Sequence, residues 1–179
     1  MPKMHADELD ITPEQVRGLL RQQFPQWADD SLQAVASAGT ENALFRLGET
    51  RVVRLPRTPN ENNRIQKEAH WLPVLAPHLP LTVPEPLALG SPNADYPNPW
   101  AVYGWIDGEN ATLDQLADEA QAARKLAAFV QAMWTVDATN GPPPGAHNFY
   151  RGVPLAERDE TTRQCIAELN DLGMIDTAA

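Results

Sequence analysis

Residues 36–57 read ASAGTENALFRLGETRVVRLPR, and the architecture follows from how this stretch is divided. Two apolar runs, roughly 43–48 and 51–56, are joined by the turn-like GET. A third run at 32–37 precedes them across the small, polar SAGTENA, so the three read as an antiparallel meander. Arg54 is the odd member of the last run. Alternation puts Val52, Arg54 and Pro56 on one face of the strand and Val53 and Leu55 on the other. A guanidinium among valines and a leucine is either a solvated edge residue or a charge recruited for a purpose.

Upstream, DITPEQVRGLLRQQF has the signature of a helix start, with Thr12 as N-cap, Pro13 at the first helical position and Gln15 closing a capping box. Leu19, Leu20 and Phe24 supply its apolar side. Downstream, from Asn60 to about Pro77, Ile65, Ala69, Leu72, Leu75 and Ala76 recur at helical spacing. VPEPLALG and NPWAVYGWIDG then read as two more strands broken by a Pro/Asn loop. Five strands with a helix inserted after the third make an α+β lobe. After Gly108 the pattern is helical at about 112–137, with enough apolar positions to bury much of the circumference. A proline-rich loop and a second helical pattern at 155–172 follow.

The chain has 179 residues and a formal net charge of −10, from 14 Lys+Arg against 24 Asp+Glu. That balance argues against a nucleic-acid partner, which requires a basic stripe. No window approaches the roughly 20 apolar residues of a membrane span. The polar start MPKMHADELDITPEQ has no apolar signal region, and a single cysteine, Cys165, excludes an internal disulfide. These features suit the cytoplasm. Cys165 falls in a helical pattern and reads as a packed small hydrophobe.

A second oddity matches the first. Glu68 lies three residues after Ile65 and four before Leu72, so it sits on the apolar stripe of its helix. Burying either charge alone would cost several kcal/mol, of order 3–5, whereas a hydrogen-bonded pair is tolerable. Arg54 and Glu68 therefore form either an ion pair that locks helix to sheet or a phosphate-gripping pair at a nucleotide site. SAGTENA lies where a phosphate-covering loop belongs. Its small residues allow backbone N–H groups to approach an anion, and Ser37, Thr40 and Asn42 add side-chain donors.

At this point ASAGTENALFRLGETRVVRLPR, KEAHWLPVLAPHLPLTVPEPLALG and PWAVYGWIDGENA together resemble the N-terminal half of aminoglycoside phosphotransferase family proteins. These are kinase-like enzymes that include macrolide kinases. The resemblance implies a protein-kinase-like N-lobe at residues 1–104, followed at 105–179 by a hinge and the first helices of an incomplete helical C-lobe. It implies that Ser37, Gly39, Thr40 and Asn42 cover the nucleotide phosphates and that Arg54, paired with Glu68, stands where kinases have a lysine. Arginine keeps its charge and bonds phosphate bidentately. Arg57 is the alternative cation, but its odd spacing from Arg54 turns it to the opposite face. YGWIDG resembles the interlobe hinge, which would place the Gly104 carbonyl and the Ile106 N–H against the purine edge, with Tyr103 at the back of the pocket.

The family's H-G-D-x-x-x-x-N loop, which supplies the catalytic carboxylate, has no counterpart here. His5, His70, His78 and His147 stand in HAD, HWL, HLP and HNF; HAD precedes the first helix, far from where that loop belongs. Asp176 is followed by no glycine and does not match the family's later metal-binding motif. The resemblance thus implies a chain that stops before the catalytic chemistry, with no catalytic residue and no metal ligand of its own. ATP or GTP with Mg2+, and a small-molecule hydroxyl substrate such as an antibiotic, belong to the complete enzyme. The alternative is a non-catalytic module that binds nucleotide or protein, or self-associates through exposed helices.

Overall fold

The computed structural model describes residues 8–36, 41–58, 64–109, 111–112, 115–145, 148 and 150–172. The chain divides into two compact units, Met1–Asp137 and Ala138–Ala179. The first is built on one antiparallel sheet. Its strands are β1 (Leu32–Ala34), β2 (Asn42–Leu47), β3 (Arg51–Pro56), β4 (Pro86–Gly90) and β5 (Trp100–Gly104), in the spatial order β1-β2-β3-β5-β4. Helix α1 (Pro13–Gln23) precedes the sheet, and α2 (Arg64–Leu75) lies between β3 and β4. The expected α+β lobe with one inserted helix is present.

The GET turn fixes the register of β2 on β3, running from Asn42 opposite Pro56 to Leu47 opposite Arg51. Gly48 takes a φ of 60°, a region that L side chains adopt at a cost, while its N–H donates to Ser31 O. Once the register is set, alternation sorts the two faces. One face carries Ala43, Phe45, Leu47, Val53, Leu55 and Val102, which bury against Val16, Leu19 and Leu20 of α1 together with Tyr96 and Trp100. The other carries Val52, Ala101 and Tyr103 against Ile65 and Leu72 of α2. Arg54 emerges on this second face, opposite Leu44 on β2 and Ala101 on β5.

Helix α1 starts as the sequence indicates, with Thr12 Oγ1 accepting from Gln15 N at 3.2 Å. The capping box does not close. The Gln15 amide instead donates to Asp95 O, and Gln22 and Gln23 likewise bond the 91–95 segment. A tertiary acceptor has won over the local one. Helix α2 ends earlier than expected, because after Leu75 the chain tightens into a 3-10 turn at Ala76–His78; the expected start at Asn60 lies outside the described residues. Pro73 lies within the last turn of α2.

Two helical expectations need correction. Helix α3 runs over Glu119–Thr135 and not from 112, because Asp118 is the N-cap and accepts from Gln121 N at 2.8 Å. It buries none of its residues: Leu126, Val130, Met133 and Trp134 are all exposed. An apolar stripe is buried only where a second layer packs on it, and the described residues of the first unit leave α3 without a buried position. In the second unit, a 3-10 turn at Leu155–Arg158 leads into α4 (Asp159–Asp171). Cys165 lies on α4 and is exposed, not packed. Among the described residues no helix is long and apolar enough to cross a membrane.

Candidate functional site

A cavity of about 610 Å³ opens on the face of the sheet that carries Arg54. Glu41, Asn42 and Leu44 line it from β2 and the residue before it, and Val52 and Arg54 from β3. Tyr103, Gly104, Trp105 and Ile106 line it from β5 and beyond, with Pro84 completing the wall. Leu44, Val52 and Arg54 meet there because Leu44 is the register partner of Arg54 and Val52 is two residues from it. The wall is largely apolar, and Arg54 is its cation.

Arg54 is held from behind. Its Nη1 donates to Glu68 Oε2 at 2.5 Å, and Tyr103 Oη donates to the same oxygen at 3.0 Å. Glu68 reaches them from α2 across the second face, so the carboxylate joins helix, β3 and β5. The Arg54 and Glu68 side chains retain 28% and 30% exposure, which makes the pair half-buried and open to solvent on one side. Burial pushes the Tyr103 hydroxyl well above its ordinary range, and the neighbouring Glu68 charge pushes it further. Tyr103 is therefore a neutral donor that orients the carboxylate. A guanidinium has five N–H donors, and one Nη serves Glu68.

The main chain at the end of β5 alternates in direction. Gly104 N donates to Glu85 O and Trp105 N donates to Thr50 O, each at 2.8 Å. The first bond points to the β4 side and the second to the β3 side. Glu41 is tied to Arg64 at the start of α2 at 2.5 Å.

Of the residues singled out from sequence, Asn42, Arg54, Tyr103, Gly104 and Ile106 all line this cavity. Glu68 does not line it but bonds Arg54 and Tyr103. Ser37, Gly39 and Thr40 lie outside the described residues, as does Asp176. Arg57 is not part of the lining; its main chain bonds Glu41 O and Leu9 N instead. Sequence reasoning passed over Leu44, Val52, Trp105, Glu41 and Pro84. The first two were accessible by the alternation that placed Arg54, whereas Pro84 reaches the wall only through the pairing of β4 with β5.

A family model described as the phosphotransferase enzyme family matches residues 32–176. The chain belongs to this family. No curated protein matches the sequence. Solved phosphotransferase structures share the fold. The GDP complex of aminoglycoside 2′-phosphotransferase-IIIa is 18% identical, with a TM-score of 0.68 over 93% of this chain and 55% of that one. The GDP and kanamycin complex of APH(2″)-IIIa is 21% identical, with a TM-score of 0.62 over 73% and 46%. Aminoglycoside phosphotransferase APH(2″)-Ib with bound ADP is 18% identical, with a TM-score of 0.53 over 93% and 53%. The chain thus spans about half the length of these phosphotransferases.

Proposed function

We propose that this chain is the nucleotide-binding half of an ATP-dependent phosphotransferase acting on a hydroxyl of a small molecule, an aminoglycoside-like antibiotic or a related compound. The observation that carries the reading is the Arg54–Glu68 pair at the wall of a cavity that Tyr103, Gly104 and Ile106 also line. Leu44, Val52 and Ile106 offer apolar surface for a flat purine ring, and Arg54 offers a fixed cation for the phosphates. The alternation at Gly104 and Trp105 supports the hinge role. If that alternation carries on past Trp105, the Gly104 carbonyl and Ile106 N–H would share the side of the Gly104 N–H, where a purine edge would meet them. Ser37, Gly39, Thr40 and Asn42 are assigned to the phosphate-covering loop. The division at 104/105 into nucleotide lobe and hinge-plus-helices is part of the same reading, as is a cytoplasmic location, where nucleoside triphosphates are abundant.

ATP or GTP is the co-substrate, with Mg2+ supplying charge neutralisation at the phosphates in the complete enzyme. Glu41 and Glu68 are each held by an arginine, so magnesium ligands are assigned to neither. With no H-G-D-x-x-x-x-N in its sequence, the 179-residue chain is expected to bind nucleotide without transferring phosphate. A second reading, a non-catalytic module that binds a protein or itself, is favoured by the uncovered Leu126, Val130, Met133 and Trp134 on α3. Thermal melts with ATP or GTP, with and without Mg2+, and a phosphotransfer assay on the same sample test the proposal. A nucleotide-dependent rise in melting temperature without turnover supports it. Turnover that follows the purified protein overturns the inactive-chain reading, and the absence of any nucleotide effect leaves the interaction module.

A further inference from the structure

Beside the cavity, three side chains from two separate segments form a cluster that the nucleotide assignment does not use. The Arg46 guanidinium lies over the Trp105 ring, 4.6 Å from its centroid. The Trp105 indole Nε1 donates to Asp107 Oδ1 at 2.7 Å, and Arg46 Nη2 lies 3.8 Å from that same oxygen. Arg46 Nη2 also donates to Glu49 O at 2.9 Å, which anchors it to the β2–β3 turn. Trp105 N donates to Thr50 O in that turn as well. The segment leaving β5 is therefore pinned to the β2–β3 turn by one main-chain bond and one charged stack. Trp105 and Ile106, which line the cavity, lie inside this pinned stretch; Arg46 and Asp107 do not line it.

We infer that Arg46 and Asp107 are positioning residues for nucleotide binding. They fix the Trp105 ring and, through it, the Ile106 main chain that would read the purine edge. This rests on the nucleotide reading of the cavity. The physical reason is entropic. Among the described residues, the segment beyond β5 has no main-chain bond to the sheet after Trp105 N to Thr50 O, and a loop ordered before the ligand arrives does not lose that freedom on binding. Arg46 suits the task because its planar guanidinium stacks on an indole while its N–H groups still reach a carbonyl and a carboxylate.

The test is calorimetric titration of the 179-residue chain with ATP and with GTP, using Arg46→Ala, Arg46→Lys and Asp107→Ala. The side chains are 38% and 89% exposed, so the variants should keep melting temperatures close to that of the parent. The two mechanisms differ in sign at Asp107. Removing a carboxylate near an anionic ligand strengthens binding if charge alone matters, and weakens it if the carboxylate holds Trp105. The expected result is that Arg46→Ala and Asp107→Ala each weaken nucleotide binding about three- to tenfold, the scale of a cation–π contact plus a hydrogen bond. Arg46→Lys is expected to recover part of the loss. Unchanged affinity in Arg46→Ala, or tighter or unchanged binding in Asp107→Ala, overturns the inference while leaving the nucleotide site standing. A parent chain that binds neither nucleotide overturns the reading of the site, and the inference with it.

Discussion

Arg54 of β3 and Glu68 of α2, fourteen positions apart in sequence, meet at 2.5 Å, and Tyr103 of β5 donates to the same carboxylate oxygen. Three elements thus converge on one oxygen at the edge of the cavity. The pair lies where the sheet's second face passes from packed core, at Ile65, Ala101 and Tyr103, to an open cavity wall. A structural role and a binding role place different demands on it.

The pair should contribute to stability, but modestly. Both side chains are nearly a third exposed, so solvent screens much of their attraction. Denaturation of Arg54→Ala, Glu68→Ala and the double variant should give a coupling of about 0.5–1 kcal/mol. A coupling of several kcal/mol would identify a lock between helix and sheet. A coupling near zero would mean that the contact contributes nothing measurable to the fold.

Gly90 faces its register partner Trp100 so closely that an added Cβ would lie 2.0 Å from the indole ring. Trp100, the first residue of β5, is fully buried in the core it shares with α1, which leaves its ring little room. Gly90→Ala should destabilise the first unit by about 1–3 kcal/mol or more through overpacking. A denaturant melt that matches the parent would show that the ring can shift.

Stability should fall at high pH through Tyr103. Its folded pKa is raised above the ordinary 10.0 by burial first and then by Glu68, so the folded state holds a proton that the unfolded chain releases. The stabilisation is complete below about pH 10 and is lost as pH climbs toward the folded value. The slope is about 1.4 kcal/mol per pH unit for each such group. Tyr96, raised by burial, contributes in the same direction. Urea midpoints measured from pH 8 to 11 should decline above pH 10, and less steeply in Tyr103→Phe. Identical slopes in the two proteins would show that Tyr103 ionises freely.

Helix α3 buries nothing, so its ends matter more than its faces. Removing the Asp118 cap by Asp118→Ala should cost about 1 kcal/mol of local helix stability. The readout is a loss of helical circular dichroism well before the sheet melts. An unchanged helical signal would point to a packing partner for α3.

Much of this architecture was legible because it depends on period and punctuation. GET set the β2–β3 register, and alternation then turned Arg54 to the other face of the strand from Val53 and Leu55. The helical spacing around Ile65 put Glu68 where it could reach back to the strand. What failed depends on contacts distant in sequence. Gln15 found Asp95 in place of its own helix start, and the apolar stripe of α3 implied a partner layer that its own residues do not provide. Cys165 failed for the same reason, since helical periodicity indicates a face but not what covers it. At the site, Trp105 stood unremarked inside the YGWIDG stretch, because its ties to Arg46 and Asp107 require knowing that the segment after β5 runs beside the β2–β3 turn.

In the proposed function Arg54 grips the phosphates of a nucleotide seated in the cavity. The most direct measurement is calorimetric titration of ATP, with Mg2+, into the parent chain and into Arg54→Ala. The expected result is saturable one-to-one binding by the parent and a loss of about tenfold or more in the variant, the scale of a charge-assisted hydrogen bond. Equal affinities in the two proteins, or a parent that binds no nucleotide, would contradict it.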